Sequence, residues 1–111
     1  MKVIKFGGTS VGSSSSIAKA VSIIQNQFSD QKNVVVLSAV GGVTNKLHRC
    51  AELATDKNES YIHLLEAIEL QHIEIVRDSL QASLQSSLLG KVKLLLNELA
   101  EYLKGVRLLG E

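Results

Sequence analysis

Lys5, Gly7, Gly8, Thr9, Ser10 and Gly12 stand together between a short apolar run and a stretch of helical periodicity. This set of residue types suits the binding of phosphate. Glycines let the backbone approach an anion closely and admit positive φ. Consecutive amides can point into one concavity, and the start of a following helix adds its positive end and its unpaired N–H groups. Thr9 and Ser10 add hydroxyl donors, and Lys5 adds a point charge near the same cavity. A tight structural turn is the other use of such glycines. The spacing is not a Walker A loop, which needs a lysine after its glycines, and GGTSVG is not the G-x-G-x-x-G dinucleotide fingerprint.

A second loop repeats the logic at Ser38-Ala39-Val40-Gly41-Gly42-Val43-Thr44-Asn45. One cradle can hold phosphate while Thr44 and Asn45 orient a second substrate. Taken alone, Thr44 and Asn45 read first as caps of the helix that follows, a role compatible with ligand contact because both use the helix start. In open α/β sheets, ligands bind beyond the carboxyl ends of the strands. Two adjacent parallel strands would therefore bring both loops to one edge.

The elements that must position these loops follow from hydrophobic spacing. Lys2–Phe6 reads as a strand. Residues 14–28 read as a helix, with Ile17, Val21, Ile24 and Phe28 recurring at helical intervals and Ser13 or Ser14 as cap. Asn33–Ser38 reads as a second strand, and its unbroken VVVL run is expected to be buried on both faces, as in a parallel sheet. Residues 44–55 form a helix with Val43, Leu47, Cys50 and Ala54 on one stripe. A polar break at Asp56–Ser60 leads to a helix over 61–80, with Tyr61, Leu65, Ile68, His72, Ile75 and Leu80 inward. A last helix over 84–104 turns Leu84, Leu88, Val92, Leu95, Leu99 and Leu103 inward and ends at Gly105. The fold class is α/β: parallel strands with flanking helices and right-handed crossovers, followed by a helical pair. Two parallel strands are not self-sufficient, so other chain segments or copies of the chain must complete the sheet. A homo-oligomer is expected.

Composition narrows the field of functions. The chain has 111 residues, 45% hydrophobic and 21% charged, with a formal net charge of +1, which is an ordinary globular balance. Aromatics are 4% and Trp is absent, so base-stacking platforms and nucleic-acid partners are not expected. No apolar run spans a membrane. The one cysteine, Cys50, forms neither an internal disulfide nor a zinc site, and a reducing cytoplasm fits it. Proline is absent, which hints at a helix-rich fragment. Residues 1–56 carry six Lys/Arg against three Asp/Glu, and residues 57–111 carry six against eight. The basic, glycine-bearing part is where an anionic ligand belongs.

VIKFGGTSVGS at 3–13 followed by VVVLSAVGGVTNKL at 34–47 resembles the start of an aspartokinase, a member of the amino acid kinase family. KFGGTSVG is that enzyme's opening signature, and an hhhSAxxGhTN-type segment about thirty residues later is its second. The stretch LLLNELAEYLKGVRLLGE is similar to the matching part of bifunctional aspartokinase–homoserine dehydrogenases. The resemblance implies a partial amino-acid-kinase-like fold, with residues 1–111 the N-terminal part of the catalytic domain. Residues 1–56 would hold the phosphate and substrate loops, and 57–111 the helical segment. It also implies the reaction ATP + L-aspartate → 4-phospho-L-aspartate + ADP, the first step toward lysine, threonine, methionine and isoleucine. By the same resemblance, Lys5 stabilises charge on the transferring phosphoryl group. Lys5, Gly7, Gly8, Thr9 and Ser10 line the phosphate site. Ser38, Thr44 and nearby backbone contact aspartate, and Mg2+ arrives on ATP. No metal site of the chain's own is implied.

The family also has a Gly-Glu pair at a strand end that binds the substrate amine. Gly110-Glu111 matches it superficially but follows a helix, so it reads as a look-alike. With the adenine-binding half missing, the fragment alone should not turn over. The alternatives are a non-catalytic nucleotide- or phosphate-binding module and a helical association module. His48, His63 and His72 have no metal spacing, and His72 reads as a partly buried core residue, as does Cys50. Glu66, Glu69, Glu74, Asp78, Glu98 and Glu101 read as solvated helix surface.

Overall fold

The computed structural model describes residues 2–28 and 32–109, with Gln27 and Phe28 as backbone only. Among the described residues the order is β1 (Lys2–Phe6), α1 (Ser14–Phe28), β2 (Asn33–Leu37), α2 (Val43–Thr55), α3 (Tyr61–Ser79) and α4 (Ala82–Leu109). They divide into two compact units, Met1–Thr44 and Asn45–Glu111. That boundary falls earlier than the change in charge balance after residue 56. No helix among them is long and apolar enough to cross a membrane. Gly110 and Glu111 lie outside the described residues.

In the first unit, β1 and β2 pair in parallel, with Ile4 opposite Val35 and Phe6 opposite Leu37. Side chains alternate across a strand, so Ile4, Phe6, Val35 and Leu37 share one face. The helix α1 packs on its β1 side, while Val35 and Leu37 stay exposed. Phe6, Val11 and Ala20 form the buried cluster, with Ile4, Ile17 and Ile24 packed against it. Ser13 caps this helix: its Oγ accepts the Ser16 amide at 3.2 Å, the N-cap geometry that satisfies an orphan donor.

The other face, with Val3, Lys5, Val34 and Val36, is uncovered. Val3 is 64% exposed and Val36 42%. The apolar VVVL run is therefore not buried on both faces, and the strand ends at Leu37 rather than Ser38. The reason is topological. Burying both faces of a parallel sheet takes helices on both sides, and within this unit only α1 is present.

The second unit is built on α3 and α4. Only two residues separate them, which forces neighbouring antiparallel helices. Gln85 secures the turn, its side-chain amide donating to the carbonyl of Leu80 at 2.8 Å and to that of Arg77 at 3.2 Å. Lys93 on α4 reaches Glu69 on α3 at 3.0 Å. Cys50, Leu53, Ala54, Tyr61, Leu65 and Leu103 form the core, drawn from α2, α3 and α4. Cys50 is wholly buried, and burial pushes its thiol above the usual range. His72 is half-buried, with Nδ1 at 2.7 Å from the Ile68 carbonyl.

Two helical expectations are corrected here. The helix over 84–104 in fact runs from Ala82 to Leu109, straight through Gly105, because a single glycine costs a long, packed helix only about 1 kcal/mol. Its inward stripe is also rotated. Leu103 is buried, but Leu84, Leu88 and Leu95 are exposed. With leucines at 94, 95 and 96, periodicity alone could not choose the face.

The end of α2 carries a strained residue. The Asn58 amide donates to the Leu53 carbonyl at 2.8 Å and the Lys57 amide to the Ala54 carbonyl at 3.0 Å. This is a Schellman motif, which places Lys57 at φ 60° in the left-handed region. Glycine occupies that region without a Cβ penalty. Lys57→Gly is expected to stabilise the chain by about 1 kcal/mol, read as a higher midpoint in urea with an unchanged slope. A lower midpoint would contradict this account of the motif.

Candidate active site

The two glycine loops leave the same end of the sheet. β1 and β2 finish in step at Phe6 and Leu37, and the Ser38 amide extends the ladder by donating to the Phe6 carbonyl at 3.0 Å. Both loops therefore begin at the carboxyl ends of adjacent parallel strands, the position that ligands take in open α/β sheets.

The loops also touch. A Cβ placed on Gly41 would lie 3.2 Å from the Gly12 Cα and 3.2 Å from the Gly8 carbonyl oxygen. One on Gly12 would meet the Gly8 oxygen at 3.1 Å, and one on Gly8 would lie 3.7 Å from Ser38 Oγ. Gly8, Gly12 and Gly41 thus serve a close approach of backbone to backbone. Gly42 serves a turn: its φ is +80°, and α2 begins at the next residue.

In the first loop, the Ser10 amide donates to the Gly7 carbonyl at 3.0 Å, closing a turn around Gly8 and Thr9. Among the described residues, the Gly8 and Thr9 amides have no hydrogen-bond partner. Val11 is buried against Phe6 and Ala20 and pins the loop to the sheet. The turn reading and the anion reading are compatible here. One amide builds the bend and two remain available for a ligand.

Thr9 and Ser10 border a cleft of about 210 Å³, with Phe6, Ser16, Lys19, Ala20 and Ile23 as its other walls. Lys5 is exposed and does not border this cleft. Strand alternation sends it from the face opposite α1, next to the uncovered valines. Lys5 stands at the loop's base on the open face, and Lys19, which sequence reasoning did not single out, stands beside the hydroxyls. Its only sequence signal was its place one helical turn after Ser16.

In the second loop, Thr44 and Asn45 are the second and third residues of α2, which begins at Val43. They lie inside its first turn and do not precede it as caps. Among the described residues, no group of three or more His, Cys, Asp or Glu could hold a metal ion.

The sequence has counterparts among known proteins. The sequence pattern of the amino acid kinase family matches residues 1–103. The chain belongs to the amino acid kinase family. It is 32% identical over 108 residues to the bifunctional aspartokinase/homoserine dehydrogenase 2 of Arabidopsis thaliana chloroplasts, covering 97% of this chain and 12% of that protein. To aspartokinase 1 of Arabidopsis thaliana chloroplasts it is 33% identical over 112 residues, covering 98% of this chain and 18% of the relative. To the aspartokinase of Chlamydia trachomatis it is 40% identical over 76 residues, covering 68% of this chain and 16% of the relative. The chain thus spans less than a fifth of the length of each, and among amino acid kinases its named relatives are aspartokinases, alone or fused to homoserine dehydrogenase.

Proposed function

We propose that, within a polypeptide of its relatives' length, this chain supplies the phosphate-binding corner of an aspartate kinase. The observation that carries the reading is the contact of the two glycine loops at the carboxyl ends of β1 and β2. It brings the unpaired amides of the first loop beside Ser38 and Gly41 of the second. In this reading Lys5, Gly7, Gly8, Thr9 and Ser10 face the phosphates of ATP. Ser38, Gly41, Gly42, Thr44 and Asn45 serve L-aspartate.

The side-chain carboxylate oxygen of aspartate attacks the γ-phosphorus, and the bond to the bridging oxygen of ADP breaks. The attacking carboxylate carries no proton, so no general base is needed. Catalysis then rests on positioning and on neutralising charge. Lys5 supplies a unit positive charge at the strand end, and the loop amides supply fixed dipoles. Mg2+ bound to ATP offsets phosphate charge.

The test is ADP release by the complete polypeptide, with the acyl phosphate trapped by hydroxylamine. Release that depends on L-aspartate and yields the aspartyl hydroxamate is the expected result. ATP binding without aspartate-dependent release would instead make the loops a nucleotide-binding module. The 111-residue chain by itself is expected to show no turnover, since it spans so little of its relatives. Aspartate-dependent ADP release by that chain would refute this part.

A further inference from the structure

The first loop is held to the sheet by one buried side chain. Between Phe6 and Ala20, Val11 alone is buried, and its neighbours from Gly7 to Lys19 are exposed or half-buried. Val11 packs in the cluster of Phe6 and Ala20, with Ile4, Ile17 and Ile24 around it. The turn just before it is closed within itself, the Ser10 amide donating to the Gly7 carbonyl at 3.0 Å. That bond fixes the shape of the turn and not its place on the sheet. On the other flank the first loop meets the second through Gly8 and Gly12, which lie against Gly41. Glycines set how near two backbones come, but they carry no side chain to anchor either one.

Val11 stands two residues after Thr9, so its anchorage governs where the Gly8 and Thr9 amides lie. An amide holds an anion well only when aimed at it. A loop already fixed in its bound form also binds without the cost of being ordered. We propose that Val11 is a positioning residue: its branched side chain, packed against Phe6 of β1 and Ala20 of α1, holds the first-loop amides in the arrangement that takes the phosphates of ATP. The inference rests on the phosphate role proposed above for this loop. It goes beyond a contribution to stability, because nucleotide affinity then depends on the shape of one buried residue. Ala20 shares in it, since a larger residue there would press Val11 off its seat.

The measurement is binding of Mg-ATP by calorimetry, without aspartate, on a complete polypeptide of the relatives' length. Val11→Ala, folded by circular dichroism, is expected to bind roughly tenfold more weakly, as when one charge-assisted hydrogen bond is lost. Val11→Thr keeps the branched shape and should restore affinity to within about threefold, although its buried hydroxyl lowers the urea midpoint. Ala20→Val reaches the same displacement from the helix side and should also weaken binding about tenfold. Ile24→Ala is the control for stability. It takes more carbon from the same cluster, but about 15 Å along α1 from that helix's first residue. It should lower the urea midpoint and leave ATP affinity within about twofold. Parental affinity in Val11→Ala, or in Ala20→Val should Val11→Ala not fold, would overturn the proposal. So would a loss in Ile24→Ala or Val11→Thr equal to that in Val11→Ala, since binding would then follow stability and not the shape at position 11. A parent polypeptide that binds no Mg-ATP would refute the phosphate role of the loop itself, and this proposal with it.

Discussion

Lys5→Ala, in a complete polypeptide of the relatives' length, is expected to lower kcat for aspartate-dependent ADP release by roughly 10²–10³-fold, the usual loss when one transition-state charge partner is removed. The KM for ATP should change only severalfold, because the loop amides keep their dipoles. The contrast variant is Lys19→Ala. Lys19 also lies near the first loop, but on the α1 side, in the cleft with Thr9 and Ser10. If the phosphates sit over the open face, Lys19→Ala should leave kcat within about twofold, as expected for a charge outside the reacting centre. Full activity in Lys5→Ala would remove Lys5 from the site. A large loss in Lys19→Ala instead would move the phosphates to the α1 side of the loop.

Gly41→Val is expected to destabilise the 111-residue chain by about 1–3 kcal/mol, the range for overpacking a closely fitted site. The new Cβ would meet the Gly12 Cα and the Gly8 carbonyl oxygen, each at 3.2 Å. Both are backbone atoms, so no side chain can rotate aside and the loops themselves must part. Thermal unfolding should therefore show a clear fall in Tm. In the complete polypeptide the same variant should also weaken ATP binding, because the amides of Gly8 and Thr9 shift with the loop. Gly7→Ala is the control. A Cβ there meets nothing within 4 Å, so stability should change by less than about 0.5 kcal/mol, as for an uncrowded surface position. Equal effects at Gly41 and Gly7 would show that the contact between the loops is not what matters.

These two experiments probe different links of one chain of cause. Lys5 tests charge at the strand end, and Gly41 tests the approach of two backbones. A null result at Lys5 with the expected result at Gly41 would leave a well-built anion corner without chemistry. That outcome would favour nucleotide binding over phosphoryl transfer.

Much of the site could be read in the amino acids alone. Strand, glycine loop and capped helix follow in order from Lys2 to Phe28, because each is set by local rules: β-branched residues in a short run, glycines where the backbone must turn, and a serine where helix amides need an acceptor. The same rules placed SAVGGVTN after a second strand. The match to the amino acid kinase family spans residues 1–103 and includes both loops. Element types were also local, and among the described residues each strand and helix lies where expected, except that the last helix runs five residues further, through Gly105 to Leu109.

Only the tertiary structure decided which faces meet. That Gly41 lies against Gly8 and Gly12 depends on two strands ending in step, a register that no single segment encodes. That Lys19 lines a cleft with Thr9 and Ser10 depends on which sheet face α1 covers. Val34–Leu37 looked fully buried, but burial requires partners on both sides, and a strand cannot name its neighbours. In α4, leucines on several sides gave periodicity more than one answer, and Leu103 rather than Leu95 went inward once α3 was in place. Residue types determine local conformation and the chemistry on offer; which groups share a site is a matter of packing between segments distant in the chain, where the free energy lies in pairs of surfaces and not in either one.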